Sequence, residues 1–131
     1  MAHQAGTRKR PLSPHLQIWR WGPAMVSSIL HRVTGVGSTV GLLLLMWWLC
    51  ALVAGPAAYA NFAAIVGHPI GIFVLVGVSW SVIAHALTGI RHFVLDTGAG
   101  YELEQNKLWA NVTTVGGFVL TAVFWALLLL R

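Results

Sequence analysis

Long apolar stretches alternate with short polar ones along this chain. Aspartate, glutamate, lysine and arginine are absent from Val33 to Ile90, and this stretch must hold more than one span because a helix crosses the hydrocarbon core in about 20 residues. Glycine and proline near 55–56 and 67–69 divide it in two. A third apolar stretch follows the next polar segment. The pattern predicts an all-α integral membrane protein with transmembrane helices at about 26–53, 69–93 and 109–130.

The polar segments suit the surfaces of a membrane. Residues 1–25 are predicted to form a basic N-terminal region, in which the segment 13–21 mixes aromatic and basic residues as an interfacial anchor does. Residues 26–131 then form the membrane domain, with a polar loop at 96–107 that carries all three carboxylates. The first apolar stretch begins late and is longer than a signal-peptide core, so we expect it to be retained. No transit segment rich in arginine and serine precedes it, which favours a bacterial inner membrane.

Composition and charge agree with a membrane location. Of 131 residues, 57% are hydrophobic and 8% charged, which is too little polar surface for a soluble globule. The net charge of +5 does not require nucleic acid, because the basic residues flank the spans and orient them. All but Arg131 fall on one side of the predicted topology, which places the N-terminus in the cytoplasm and the C-terminus in the periplasm. The other seven are Arg8, Lys9, Arg10, Arg20, Arg32, Arg91 and Lys107.

The end of the second span concentrates the candidate chemistry. At helical spacing, His85, Gly89, His92 and Asp96 share one face. His85 lies about 10 Å deeper along the helix than His92. A neutral imidazole at that depth needs a hydrogen-bond partner or a metal. Neighbouring small residues leave room for a flat group such as a haem; they are Ser81, Ala84, Ala86, Thr88 and Gly89.

Two interpretations of His85 stay open at this point: a structural hydrogen bond to another helix, or an axial bond to haem iron. A low-spin electron-transfer haem normally has two axial ligands, and no other histidine lies deep in a predicted span. The second ligand is therefore expected from another subunit. Three helices also make a poor closed unit, so the chain is predicted to be half of a heterodimeric helical anchor. Arg91 and Asp96 are interpreted as a solvated helix end with an internal ion pair.

A second polar group lies near the start of the first span. Ser28, His31 and Arg32 present a hydroxyl, an imidazole and a guanidinium on about one helix turn. Such a set can hold a quinone or a haem propionate; alternatively, Arg32 extends to the interface and Ser28 bonds its own backbone. A non-redox subunit with a proton path would need polar residues through the whole membrane thickness. The polar groups stop in the cytoplasmic half, which favours a site entered from one face.

Three stretches of this sequence together carry a resemblance to a known family. They are RPLSPHLQIWRW (10–21), SILHRVTG (28–35) and HALTGIRHFVLD (85–96). With three spans in the same order, the chain resembles the cytochrome b membrane anchor of succinate dehydrogenase (complex II), the larger of the two anchors in that complex. The family often has tyrosine where Trp19 stands, and a tryptophan still suits an interfacial anchor.

The resemblance implies a function for the polar residues. It makes His85 one axial ligand of haem b, with the other supplied by a small membrane-anchor subunit. It places Ser28 and Arg32 at the ubiquinone site, His31 and Arg32 near the haem propionates, and His92 near the haem edge. The further partners it implies are an iron–sulphur subunit and a flavoprotein, which oxidises succinate, so this chain would carry no catalytic residue for succinate. A fumarate reductase anchor is the nearest alternative.

Overall fold

A computed structural model describes Ser13, Ile18 and residues 20–130. Most of the predicted interfacial segment, including Trp19, and the C-terminal Arg131 lie outside the described residues. Four helices follow one another in the described part: α1 (Pro23–Ala54), α2 (Pro56–Gly67), α3 (Pro69–Asp96) and α4 (Leu103–Leu129). By length and composition, α1, α3 and α4 are each suited to cross a membrane. The prediction of an all-α membrane protein is confirmed.

The connections between the spans are more ordered than the sequence pattern suggested. The sequence predicts only that glycine and proline near 55–56 end the first span, whereas in the structure Pro56 begins α2, because proline suits the first turn of a helix. Gly55 separates α1 from α2 with a φ of 106°, a conformation that glycine adopts without strain. The polar loop is also shorter than the predicted 96–107. It is confined to 97–102, since α3 continues through Asp96 and α4 begins at Leu103.

Small residues bring the three long helices together. A Cβ on Gly37 of α1 would lie 2.8 Å from the Ser81 Cβ of α3, and a Cβ on Gly117 of α4 would lie 2.9 Å from the Ala84 Cβ. Gly117 thus permits a close contact between α3 and α4. Ser81, Ala84 and Thr88 are buried in the bundle, so the expectation that these three leave room for a haem was wrong: neighbouring helices occupy that space.

The outer surface of the bundle is apolar. Val53, Phe73 and Leu130 are 90%, 79% and 85% exposed, and among the described residues the buried hydrophobic side chains are only those of alanines. A surface of this kind faces lipid or another membrane protein rather than water.

One end of the bundle collects most of the described charges. The start of α1, the end of α3 and the start of α4 meet there, as shown by contacts of His31 with His92 and of Arg91 with Asn106. We call this the basic end; its described cations are Arg20, Arg32, Arg91 and Lys107. The end of α1, α2 and the start of α3 form the opposite end.

Candidate functional site

Three histidines converge between α1 and α3 near the basic end. The rings of His31 and His85 are stacked, with centroids 3.9 Å apart and planes 8° from parallel. His92 meets His31 edge-on, at 5.0 Å and 65°. The predicted common face of His85 and His92 on α3 is confirmed, because both side chains contact the same residue of α1.

The orientation of His85 is set by the backbone of α1. Its Nδ1 lies 3.0 Å from the main-chain carbonyl oxygen of His31, and since a carbonyl oxygen only accepts, Nδ1 donates and carries the proton. The buried Thr34 hydroxyl donates to the same carbonyl at 3.1 Å and lies 3.4 Å from Nδ1. The other nitrogen, Nε2, therefore has a free lone pair. This tautomer, held by a second partner, is the form in which histidine ligates a metal.

The His85 ring is bordered by a glycine of α1 and by an apolar groove. A Cβ on Gly35 would lie 3.1 Å from the His85 Cε1, so a larger residue there would press on the imidazole. His85 also lines an almost wholly apolar groove of about 500 Å³ between α1 and α3. The other lining residues are Ser38, Gly41, Leu42, Leu45, Val78, Val82 and Ala86.

His31 contributes an orphaned nitrogen. Its Nε2 is buried and has no hydrogen-bond partner within the part of the chain that the structure describes. Gly89 lies beside it, with an added Cβ 3.9 Å away. Buried polar atoms are normally satisfied, so this atom is suited to a group that arrives by binding. A free His85 lone pair, an apolar groove and an unsatisfied imidazole together fit a planar, metal-containing cofactor with polar substituents.

The two predicted quinone residues lie on a more open side of α1. Ser28 is half-buried and Arg32 is exposed. The neighbouring Ser27 was not singled out from the sequence, yet it is 1% exposed and its Oγ has no partner among the described residues. The sequence places Ser27 on the same helix face as Thr34, because the two are seven residues apart, but it does not show that this face is buried. Unlike Ser27, Ser28 and Arg32 are accessible to other subunits, because their side chains are not buried within the bundle.

Arg91 differs from the expectation of a solvated helix end. It is only 9% exposed, and its Nη2 donates to the Asn106 Oδ1 of α4. Asp96 is exposed, and no ion pair with Arg91 is found in the described ranges. The reason is the face it occupies: Arg91 is three residues beyond the buried Thr88, so its side chain points toward the packed interior of the bundle rather than to water.

A family described as "Succinate dehydrogenase/Fumarate reductase transmembrane subunit" matches residues 6–124. The succinate dehydrogenase cytochrome b556 subunit of Paracoccus denitrificans is 39% identical over 114 residues, which cover 87% of this chain and 88% of the relative. That of Rickettsia felis is 35% identical over 117 residues, with 89% and 91% covered. The mitochondrial cytochrome b560 subunit of Sus scrofa is 34% identical over 101 residues, with 73% and 58% covered.

Proposed function

Because this chain belongs to the family of succinate dehydrogenase and fumarate reductase transmembrane subunits, and within it to the cytochrome b anchors of succinate dehydrogenase, we propose that it binds haem b jointly with a second small membrane chain. We further propose that it forms part of the site where ubiquinone is reduced. It is a multi-pass membrane subunit of a bacterial succinate dehydrogenase. In the proposed topology the N-terminus is cytoplasmic, the C-terminus is periplasmic, and the iron–sulphur and flavoprotein subunits bind at the basic end.

The observation that carries the haem proposal is the bond between the His85 Nδ1 and the His31 carbonyl oxygen. It leaves Nε2 of His85 as the ligand atom for haem iron. His31 is not the second ligand, because its ring stacks against His85 at 3.9 Å and a macrocycle does not fit between the two rings. A second ligand to the iron would come from the small anchor subunit.

Haem b supplies reversible one-electron storage when bound. The residues of this chain hold it and set its surroundings. The unsatisfied His31 Nε2 and the Arg32 guanidinium would donate to the anionic propionates, and His92 would lie near the haem edge. The apolar groove beside His85 excludes water from the macrocycle.

The quinone site is proposed at Ser28 and Arg32. The Ser28 hydroxyl donates to one quinone carbonyl oxygen, and Arg32 stabilises the negative charge that develops as the quinone is reduced. Succinate gives up two electrons and two protons at the flavoprotein, the electrons pass through the iron–sulphur subunit, and ubiquinone takes up two electrons and two protons to become the quinol. The exposure of Arg32 at the basic end supports this placement, since it is accessible there to the iron–sulphur subunit.

Two other functions are less well supported. The names of the bacterial relatives favour succinate oxidation over a fumarate reductase anchor. The hydrogen bonds of two buried threonine hydroxyls argue against a proton path through the chain. Thr113 donates to the Trp109 carbonyl at 2.9 Å, and Thr121 to the Gly117 carbonyl at 2.7 Å, so each bonds its own helix rather than a chain of partners.

The proposal is tested on the complex purified in mild detergent. We expect an absorption spectrum of a b-type haem, co-purification of a second small membrane chain and two larger soluble subunits, and succinate-dependent reduction of ubiquinone. Mass spectrometry of the purified chains and the redox difference spectrum provide the readouts. A complex without haem, or one whose haem stays intact when the second membrane chain is removed, would contradict the shared site.

A further inference from the structure

A buried cation faces a cavity on the side of α3 that packs against α4. Arg91 lines this cavity, which has a volume of about 420 Å³ and lies between the end of α3, the 97–102 loop and the start of α4. Arg91 is 9% exposed as a residue, and its Nε is buried with no partner among the residues described. Since a buried polar atom without a partner is costly, the arrangement calls for a group that enters the cavity.

No acid of the described chain balances this charge. The partner of Arg91 is the neutral amide of Asn106. Glu104 pairs with Lys107 at 2.8 Å, Glu102 accepts from Gln105, and both carboxylates are exposed, as is Asp96. An unpaired charge buried near a membrane interior is destabilising unless an opposite charge joins it. The missing group is therefore an anion.

The residues that line the cavity indicate which kind of molecule the anionic group belongs to. Along α3 the cavity extends from Leu87 to Leu95, about 12 Å at the helical rise, and its deeper part is apolar. Arg91 lies about 7 Å below the last residue of α3, within the depth of the headgroup region. The lining residues deeper than Arg91 are Leu87, Ile90, Trp109, Val112 and Thr113, and the Thr113 hydroxyl donates to carbonyl oxygens of its own helix. An occupant thus needs an anionic head and an apolar tail.

We propose that this α3–α4 cavity binds an anionic phospholipid of the leaflet at the basic end. The phosphate accepts from the Arg91 guanidinium, and an acyl chain lies along Leu87 and Val112. The site is distinct from the histidine cluster, because Arg91 packs toward α4 whereas His85 and His92 contact α1. Its role is to complete the α3–α4 contact by neutralising the buried charge, and it does not depend on the proposed haem and quinone functions.

The test uses the whole complex, stripped of lipid in a neutral detergent and then supplied with phosphatidylglycerol, phosphatidylcholine or inorganic phosphate. Bound phospholipid is counted by native mass spectrometry, and the melting temperature is recorded for each addition. We expect phosphatidylglycerol to bind and raise the melting temperature more than phosphatidylcholine does, with no effect of phosphate alone. Arg91→Gln should weaken phosphatidylglycerol binding at least about tenfold, since a hydrogen bond to a charged group is lost.

Three further variants distinguish lipid binding in the cavity from a general attraction of anionic lipid to the cations of the basic end. Arg91→Lys keeps the charge and should retain part of the preference, while Arg20→Gln removes an exposed cation of the same end and should leave binding unchanged. Val112→Trp fills the apolar part and leaves Arg91 in place, so it should also weaken binding, and it decides the test if Arg91→Gln does not assemble.

Each opposite outcome would overturn the proposal. Undiminished phosphatidylglycerol binding in Val112→Trp would show that the lipid lies elsewhere. An equal rise in melting temperature with inorganic phosphate would indicate a site for small anions. Cross-linking of position 91 to an acidic residue of another subunit, with no phospholipid retained, would identify a protein partner instead.

Discussion

The imidazole of His85 is oriented by the main-chain carbonyl oxygen of His31, 3.0 Å from its Nδ1, with the Thr34 hydroxyl 3.4 Å from the same nitrogen. Stacking of the His31 ring at 3.9 Å is a separate contact between the same two residues. The two contacts are therefore separable by mutation. Replacing the His31 side chain leaves the carbonyl that orients His85, whereas replacing His85 removes the proposed ligand itself.

The first prediction concerns the axial ligand. His85→Ala should abolish the low-spin bis-histidine signature of the haem, because Nε2 of His85 is the proposed ligand atom. His31→Ala should keep that signature, since the backbone bond to Nδ1 persists, and should shift the haem potential through loss of the propionate partner and of the stacked ring. Low-temperature electron paramagnetic resonance of the two assembled complexes measures the difference. An unchanged bis-histidine signal in His85→Ala would exclude His85 as a ligand.

The second prediction concerns the space around the ring. A methyl group at position 35 would lie 3.1 Å from the His85 Cε1, and the ring cannot yield freely because it is stacked on one side and hydrogen-bonded at Nδ1. Gly35→Ala should therefore broaden or shift the haem absorption bands and lower the haem content of the complex. The matched control is Gly77→Ala of α3, because a Cβ there meets no atom within 4 Å. Equal spectra for the two variants would argue against a haem positioned by His85.

The third prediction concerns the quinone. Arg32→Ala should lower the rate of succinate-dependent ubiquinone reduction roughly ten- to a hundredfold, because a group that stabilises developing negative charge is removed. Succinate oxidation with a soluble artificial acceptor should be nearly unchanged, since that reaction does not use the membrane site. Arg20→Ala, which removes another exposed cation of the basic end, is the control. Loss of both activities in equal proportion would indicate a defect of assembly rather than of quinone binding.

The spans were predictable because lipid imposes a simple requirement. About 20 apolar residues are needed to cross it, and the sequence meets this requirement in three places. Helix α2 was not predicted, because Gly55 and Pro56 break a helix and can equally precede one; only the conformation of Gly55 and the alanine-rich stretch after Pro56 distinguish the two.

The histidine face was predictable for a similar reason, since helical spacing alone places His85 and His92 together. What covers a face depends on how the helices cross, and a single sequence does not contain that information. The small residues Ser81, Ala84 and Thr88 were therefore assigned to a cofactor although helices cover them. Arg91 was assigned to water for the same reason, because nothing in its own helix shows that Asn106 of α4 lies beside it.

The last prediction tests the α3–α4 contact. A methyl group on Gly117 would lie 2.9 Å from the Ala84 Cβ and 3.2 Å from its Cα, and backbone on both sides leaves little room to adjust. Gly117→Ala should thus force the helices apart and destabilise the subunit by about 1–3 kcal/mol, the usual cost of overpacking. Gly77→Ala of α3 is the control, because a Cβ there meets no atom within 4 Å, and alanine should leave stability unchanged or raise it slightly. Thermal unfolding of the two complexes measures the difference, and equal melting temperatures would mean that α3 and α4 are farther apart than this contact requires.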